Sequence, residues 1–220
     1  MNLLFLSFSS LLASVAAVPA TAAAGPVGTT FLYYVWGIGI SGLPMFYDNG
    51  AAVVTDYDTA KTKPNLTPVT FTFTQRQQPP PGLQGLGYSF IATPDLAKLT
   101  HPATLESAIM FVSDRSSWES HAVGFATSEN ATVEGKKAGG FLHSQQRFYL
   151  IEDITHTGYL SVFCAFPSVE SPGVWDLRWN VTNDVPERAD GRPVILSSRN
   201  FTSGGPVEGT PTWTKCRTRA

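Results

Sequence analysis

The chain has 220 residues, a net charge of −2, 15% charged residues and 12% aromatic ones. So little charge, with no run of either sign, argues against nucleic acid or an anionic membrane surface as partner. So many aromatics argue against disorder, and the length suits one sizeable core rather than two.

In chain order, Leu3–Leu12 is an apolar run, and Ala13–Ala24 is rich in Ala, Ser, Thr and Val. This is the outline of a secretory signal peptide over residues 1–24, with small-x-small cleavage sites after Ala17 and after Ala22. It departs from the usual pattern in having no Lys or Arg ahead of the apolar run. Serines and Pro19 interrupt it before the roughly 20 apolar residues that a membrane anchor needs. The expectation is a secreted chain, free of the membrane once the signal is cleaved, with 25–220 as a single β-rich domain.

Thr29–Trp36 is β-branched and aromatic, the composition of a strand. The following Gly37-Ile38-Gly39-Ile40-Ser41-Gly42 matches G-x-G-x-x-G, but that fingerprint must open a helix to hold a dinucleotide. Here Pro44 and then Asp48-Asn49-Gly50 follow. Asn-Gly is a strong hairpin signal, so Met45–Tyr47 is expected to pair with Ala51–Thr55. Val69–Thr74 alternates with Val69, Phe71 and Phe73 on the inner face. Residues 75–87, with Pro79-Pro80-Pro81, read as a stiff loop. Tyr88–Ala92 reads as a strand, and Thr93-Pro94-Asp95 as the start of one short helix ended by His101-Pro102. Ser107–Val112 and Ala122–Ala126 are further strands, and residues 129–140 a turn region.

Phe148–Val181 reads as three consecutive strands. Leu160, Val162, Cys164 and Phe166 share one face. Trp175, Leu177, Trp179 and Val181 point inward, with Asp176, Arg178 and Asn180 outward. Pro193–Ser198 and Thr210–Cys216 complete the set. Ten or eleven short strands with regular turn signals and one minor helix make an all-β fold, an antiparallel β-sandwich or a closed β-barrel.

Asn65, Asn130, Asn180 and Asn200 each begin an Asn-x-Thr glycosylation sequon. Cys164 and Cys216 are the only cysteines, and an even count in a secretory chain implies a bridge between them. The chain-entropy model gives such a bridge, over a loop of roughly 50 residues, about 4 kcal/mol.

Chemistry is less legible. There is no nucleophile elbow, no H-E-x-x-H and no Cys/His cluster; the four histidines are scattered, and neither a metal nor a cofactor is expected. The one compact polar group is the Glu152–His156 turn. Asp153 could there orient His156 as a general acid or base, and the plainer reading is a solvated hairpin end. The aromatic surplus, Tyr33, Tyr34, Trp36, Phe46, Tyr47, Tyr57, Trp118, Trp175 and Trp179, exceeds what a core of this size usually holds. β-Barrels and sandwiches of this size can enclose one small ligand. Tyr33, Trp36, Tyr47, Trp175 and Trp179 are therefore candidate contacts to an apolar or aromatic small molecule, against the alternative of an ordinary aromatic core.

The pattern Gly158-Tyr159-Leu160, Cys164 and Trp175-Asp176-Leu177-Arg178-Trp179 resembles that of small secreted fungal β-rich glycoproteins. The outline of the chain is similar to that of the secreted fungal hetero-Diels–Alderases. This resemblance implies a cofactor-free pocket that positions a reactive quinone methide against a terpene alkene, and it assigns no catalytic position. The expected function is a secreted binder of an apolar small molecule or a cofactor-free cyclase. A non-catalytic extracellular effector or wall-associated protein is the alternative, and a glycan-active hydrolase the third reading.

Overall fold

A computed structural model describes residues 30–75, 88–113, 122–127, 135–144, 147–150, 163–179 and 190–198. The strands are β1 (Thr30–Phe31), β2 (Tyr34–Gly37), β3 (Ile40–Asp48), β4 (Ala51–Val54), β5 (Thr67–Gln75), β6 (Tyr88–Pro94), β7 (Ala108–Ser113), β8 (Val123–Ala126), β9 (Lys136–Lys137), β10 (Phe141–Ser144), β11 (Arg147–Leu150), β12 (Phe163–Pro167), β13 (Trp175–Trp179) and β14 (Arg192–Ser197). One helix, α1 (Tyr57–Lys61), lies between β4 and β5.

Of the two all-β architectures, the chain adopts the barrel. Antiparallel pairing runs β2–β3–β5–β6–β7–β8–β4–β13–β12–β14 and returns from β14 to β2, closing a ring of ten strands. The β10–β11 hairpin bridges β6 and β14, and β1 and β9 add short pairings to β5 and β7.

Local chemistry explains the joints. β3 and β4 meet at Asp48↔Ala51, and the two residues between them, Asn49 (φ 47°) and Gly50 (φ 93°), both have positive φ. That is the two-residue turn whose twist matches the flanking strands, and Asn-Gly is the dipeptide best suited to it. The glycine-rich stretch at 37–42 is also a hairpin: Gly37 pairs with Ile40, and the register shifts between Val35 and Trp36. Gly42 (φ 68°) falls at that irregularity, and a Cβ there would sit 2.5 Å from the Trp36 ring. Only glycine lets the indole lie flat on the bulged strand.

The alternation of β5 holds, with Val69, Phe71 and Phe73 buried and Thr70, Thr72 and Thr74 half-buried on the other face. With Tyr33, Phe90, Phe141, Phe148, Phe163 and Trp179 these side chains fill the barrel with rings in contact. Phe90 lies at its centre, with ring centroids 4.7 Å from Phe73, 5.0 Å from Phe148 and 5.6 Å from Phe141. Fully burying one such side chain stabilises by about 1.5–3 kcal/mol.

One local expectation needs correction, and one strand is covered more fully than its alternation requires. β12 is buried on both faces. Phe163 and Ala165 join the central cluster, while Cys164 and Phe166 are covered on the opposite side. The room for Phe166 comes from Gly191, where a Cβ would collide with its ring. The short helix is not at Thr93-Pro94-Asp95, because β6 runs on through Pro94, paired with Val69, and the Asp95 N–H donates to Pro68 O at 2.8 Å. Strand pairing carries the backbone through Pro94, and the segment after it is a turn and not a helix. The helix is instead α1, which directly follows β4.

Candidate functional site

Along β3 the side chains alternate across the barrel wall. Met45 and Tyr47 face the central cluster, whereas Phe46 belongs to a second apolar cluster with Val53, Ala60, Leu66 and Val174. That cluster lies on the outer face of the wall, and α1 covers it.

The helix is short and depends on its cap. Asp56 has extended backbone (φ −78°, ψ 161°), and its carboxylate accepts from Thr59 N at 2.7 Å and from Thr59 Oγ1 at 2.8 Å. These bonds satisfy donors that the first turn leaves open and hold the Asp56 carboxyl below the usual carboxylate range. At the other end the Thr62 N–H reaches the Ala60 and Thr59 carbonyls. On one flank Thr55 Oγ1 donates to Gly173 O at 2.8 Å. Gly173 (φ 80°) lies against Thr59, which a Cβ would approach to 3.2 Å. On the other flank His101 Nε2 donates to Lys61 O at 2.8 Å. The turn at 95–100 is shaped by Asp95, which accepts from Lys98 N through its carbonyl (2.9 Å) and from Ala97 N through Oδ1 (3.2 Å).

Between α1 and that turn lies a pocket of about 250 Å³. Phe46, Leu66 and Pro68 are its apolar floor, Tyr57 and Ala60 the helix wall, and Lys61, Lys98 and Thr100 bring polar atoms to it. The Tyr57 ring meets Phe46 edge to face at 5.7 Å, a favoured aromatic geometry. Lys98 Nζ stands 5.5 Å from the centre of the Tyr57 ring, within cation–π range. The Tyr57 hydroxyl is buried and meets no hydrogen-bond partner among the described residues. Burial, then Tyr34 and the Asp95 carboxylate, push its pKa up to about 12. Burial and Asp95 likewise raise Tyr34. Both hydroxyls therefore stay protonated at physiological pH.

The five aromatic residues singled out from sequence lie elsewhere. Tyr33 and Trp179 are buried in the central cluster, 5.5 Å from Phe148 and 4.9 Å from Phe163. Tyr47 and Trp175 pack against that cluster from half-buried positions, and the Arg192 guanidinium covers Trp175 at 4.8 Å. Trp36 is buried over Gly42. None of the five lines the α1 pocket. Asp153 and His156 lie outside the described residues, as do Asn130, Asn180, Asn200 and Cys216. Cys164 is buried, and no cysteine is free among the described residues. Asn65 is half-buried, and its Nδ2 donates to Asp48 Oδ1 at 2.7 Å. The sequon's Thr67 is buried, with its hydroxyl 3.0 Å from that of Thr104.

Phe46 and Tyr57 belong to the surplus of aromatics, but nothing in the sequence sets them beside each other or beside Ala60, Leu66 and Lys98. The Asp56-x-x-Thr59 cap was the one local signal for the element that assembles them. No group of three or more His, Cys, Asp or Glu able to hold a metal occurs among the described residues. What the arrangement offers is a small open recess of mixed polar and apolar lining, with a lysine ammonium at its wall.

No protein-family model, curated protein or solved structure matches this chain. The site must be read from its own chemistry.

Proposed function

We propose that this protein is a secreted, glycosylated β-barrel that binds a small apolar molecule, and that the molecule lodges in the pocket beneath α1. The observation that carries the reading is that recess of about 250 Å³, floored by Phe46, Leu66 and Pro68. An engineered cavity of about 150 Å³ takes benzene, so a recess of this volume, open to solvent and of mixed polar and apolar lining, has room for a single ring or short branched chain with a polar substituent. The ring-packed barrel contributes a stiff wall, and α1 with the 95–100 turn supplies the rim.

Secretion is supported by the apolar leader and the four sequons, and a Cys164–Cys216 bridge by the even cysteine count of a chain so read. A catalytic version of the reading, a cofactor-free cyclase, rests on the resemblance in sequence outline. It would work by holding two reacting groups in near-attack geometry.

The test is calorimetric titration of the secreted protein with phenylacetamide, a neutral single-ring probe. Saturable binding is expected in the wild type and its loss in Ala60→Leu, which fills the recess from the helix wall. Circular dichroism and thermal unfolding would show that the variant is folded. Absence of saturable binding, or binding indifferent to Ala60→Leu, refutes the proposal.

A further inference from the structure

We infer that the molecule held beneath α1 is a small carboxylate, with its apolar body against Phe46 and Tyr57 and its carboxylate at Lys98. This rests on the binding reading above and adds the charge and the direction of the ligand.

Charge at the recess is the deciding feature. Two lysines line the pocket. Lys61 is already engaged, its Nζ 2.7 Å from Asp58 Oδ1. Lys98 makes no ion pair among the described residues, and its ammonium lies beside the Tyr57 ring, at the wall of the recess. A cationic ligand would be repelled there, and a neutral one would leave the ammonium with solvent only. An acid that buries its ring and leaves its carboxylate at the rim uses both features.

The direction follows from Asp95. Its carboxylate bonds to Ala97 N and acts electrostatically on the Tyr34 and Tyr57 hydroxyls. The Asp95 carboxylate thus acts at the Tyr57 hydroxyl, while the Lys98 ammonium stands 5.5 Å from the centre of its ring. A carboxylate is steered to Lys98 and kept from Asp95. A phosphate would carry more charge than one lysine balances.

The test compares phenylacetate with phenylacetamide, which share a ring and differ in charge, on the full chain as wild type, Lys98→Met and Ala60→Leu. The acid should bind about fourfold more tightly than the amide at low salt, the scale of a single exposed ion pair. The ratio should fall towards one in 1 M salt and in Lys98→Met, which should weaken binding of the acid more than binding of the amide. Equal affinities in the wild type, both abolished by Ala60→Leu, would overturn the carboxylate inference while leaving the pocket standing. A preference that survives Lys98→Met overturns it as well. If neither probe binds, both readings fall.

Discussion

Replacing Phe90 by alanine tests whether the barrel is held together by its rings. Phe90 is fully buried and meets six other rings: Phe31, Tyr33, Phe71, Phe73, Phe141 and Phe148. Removing it forfeits about 2 kcal/mol of transfer free energy. If the neighbours hold their places, the void of roughly 80 Å³ adds about 2 kcal/mol at 24 cal/mol per Å³. The sum, about 4 kcal/mol, should lower the midpoint of thermal unfolding by about 8–16 °C in a chain of this length. Phe90→Leu, which retains most of the volume, should lose about a third as much. Urea denaturation followed by tryptophan fluorescence measures both. A loss below about 1.5 kcal/mol for Phe90→Ala would refute the reasoning. It would mean that the interior is loosely filled, and the inward aromatics would return as candidate ligand contacts.

Three further outcomes follow from the geometry. Gly124→Ala should cost about 1–3 kcal/mol, because the new Cβ would stand 2.5 Å from Gly50 O and 2.9 Å from the Phe111 ring; denaturant titration reads it. Asp56→Ala should loosen α1 by about 1 kcal/mol, seen as faster amide exchange at Thr59 and Ala60. Because the folded pKa of Asp56 is depressed, its stabilisation is complete above the unfolded value and is lost as pH falls through the folded one, a dependence absent from the alanine variant. Tyr57→Phe removes a buried hydroxyl that has no partner among the described residues and should leave stability unchanged or raise it by up to about 1 kcal/mol. In the wild type the raised pKa of about 12 means that stability declines as pH rises from about 10, where an unfolded tyrosine ionises, to 12; that decline should be smaller in Tyr57→Phe.

Legibility in the sequence tracked the range of the interactions involved. The β3–β4 hairpin and the inner face of β5 were readable because a two-residue turn and a period of two are local facts. Thr93-Pro94-Asp95 carried helix-start chemistry, yet a partner 27 residues earlier, Pro68, took the Asp95 N–H and the strand prevailed. The double burial of β12 depended on Gly191 making room for Phe166 from a distant segment. Such a vacancy leaves no periodic trace. α1, with five residues, is too short to show a helical period, and only its Asp56 cap marks it in the sequence. The pocket draws on residues 46, 57–68 and 97–100, three segments that only the closed barrel brings together. The surplus of aromatics was noticed, but their division between the two faces of the wall depends on a strand register that composition does not contain.

The ring of strands also sets an order of events. Its seam joins Tyr34–Gly37 to Val194–Ser197, partners separated by about 160 residues, so the cylinder cannot shut until nearly the whole chain is available. Pairings this distant make for slow folding. At a synthesis rate of about 5–20 residues per second, the emerging N-terminal strands would wait on the order of ten seconds or more for their closing partner. During that interval Asn65, later tied to Asp48, and Cys164, later buried, are both still exposed. On this view the seam acts as a timer, and moving it by circular permutation to the β3–β4 turn should change the rate of barrel closure.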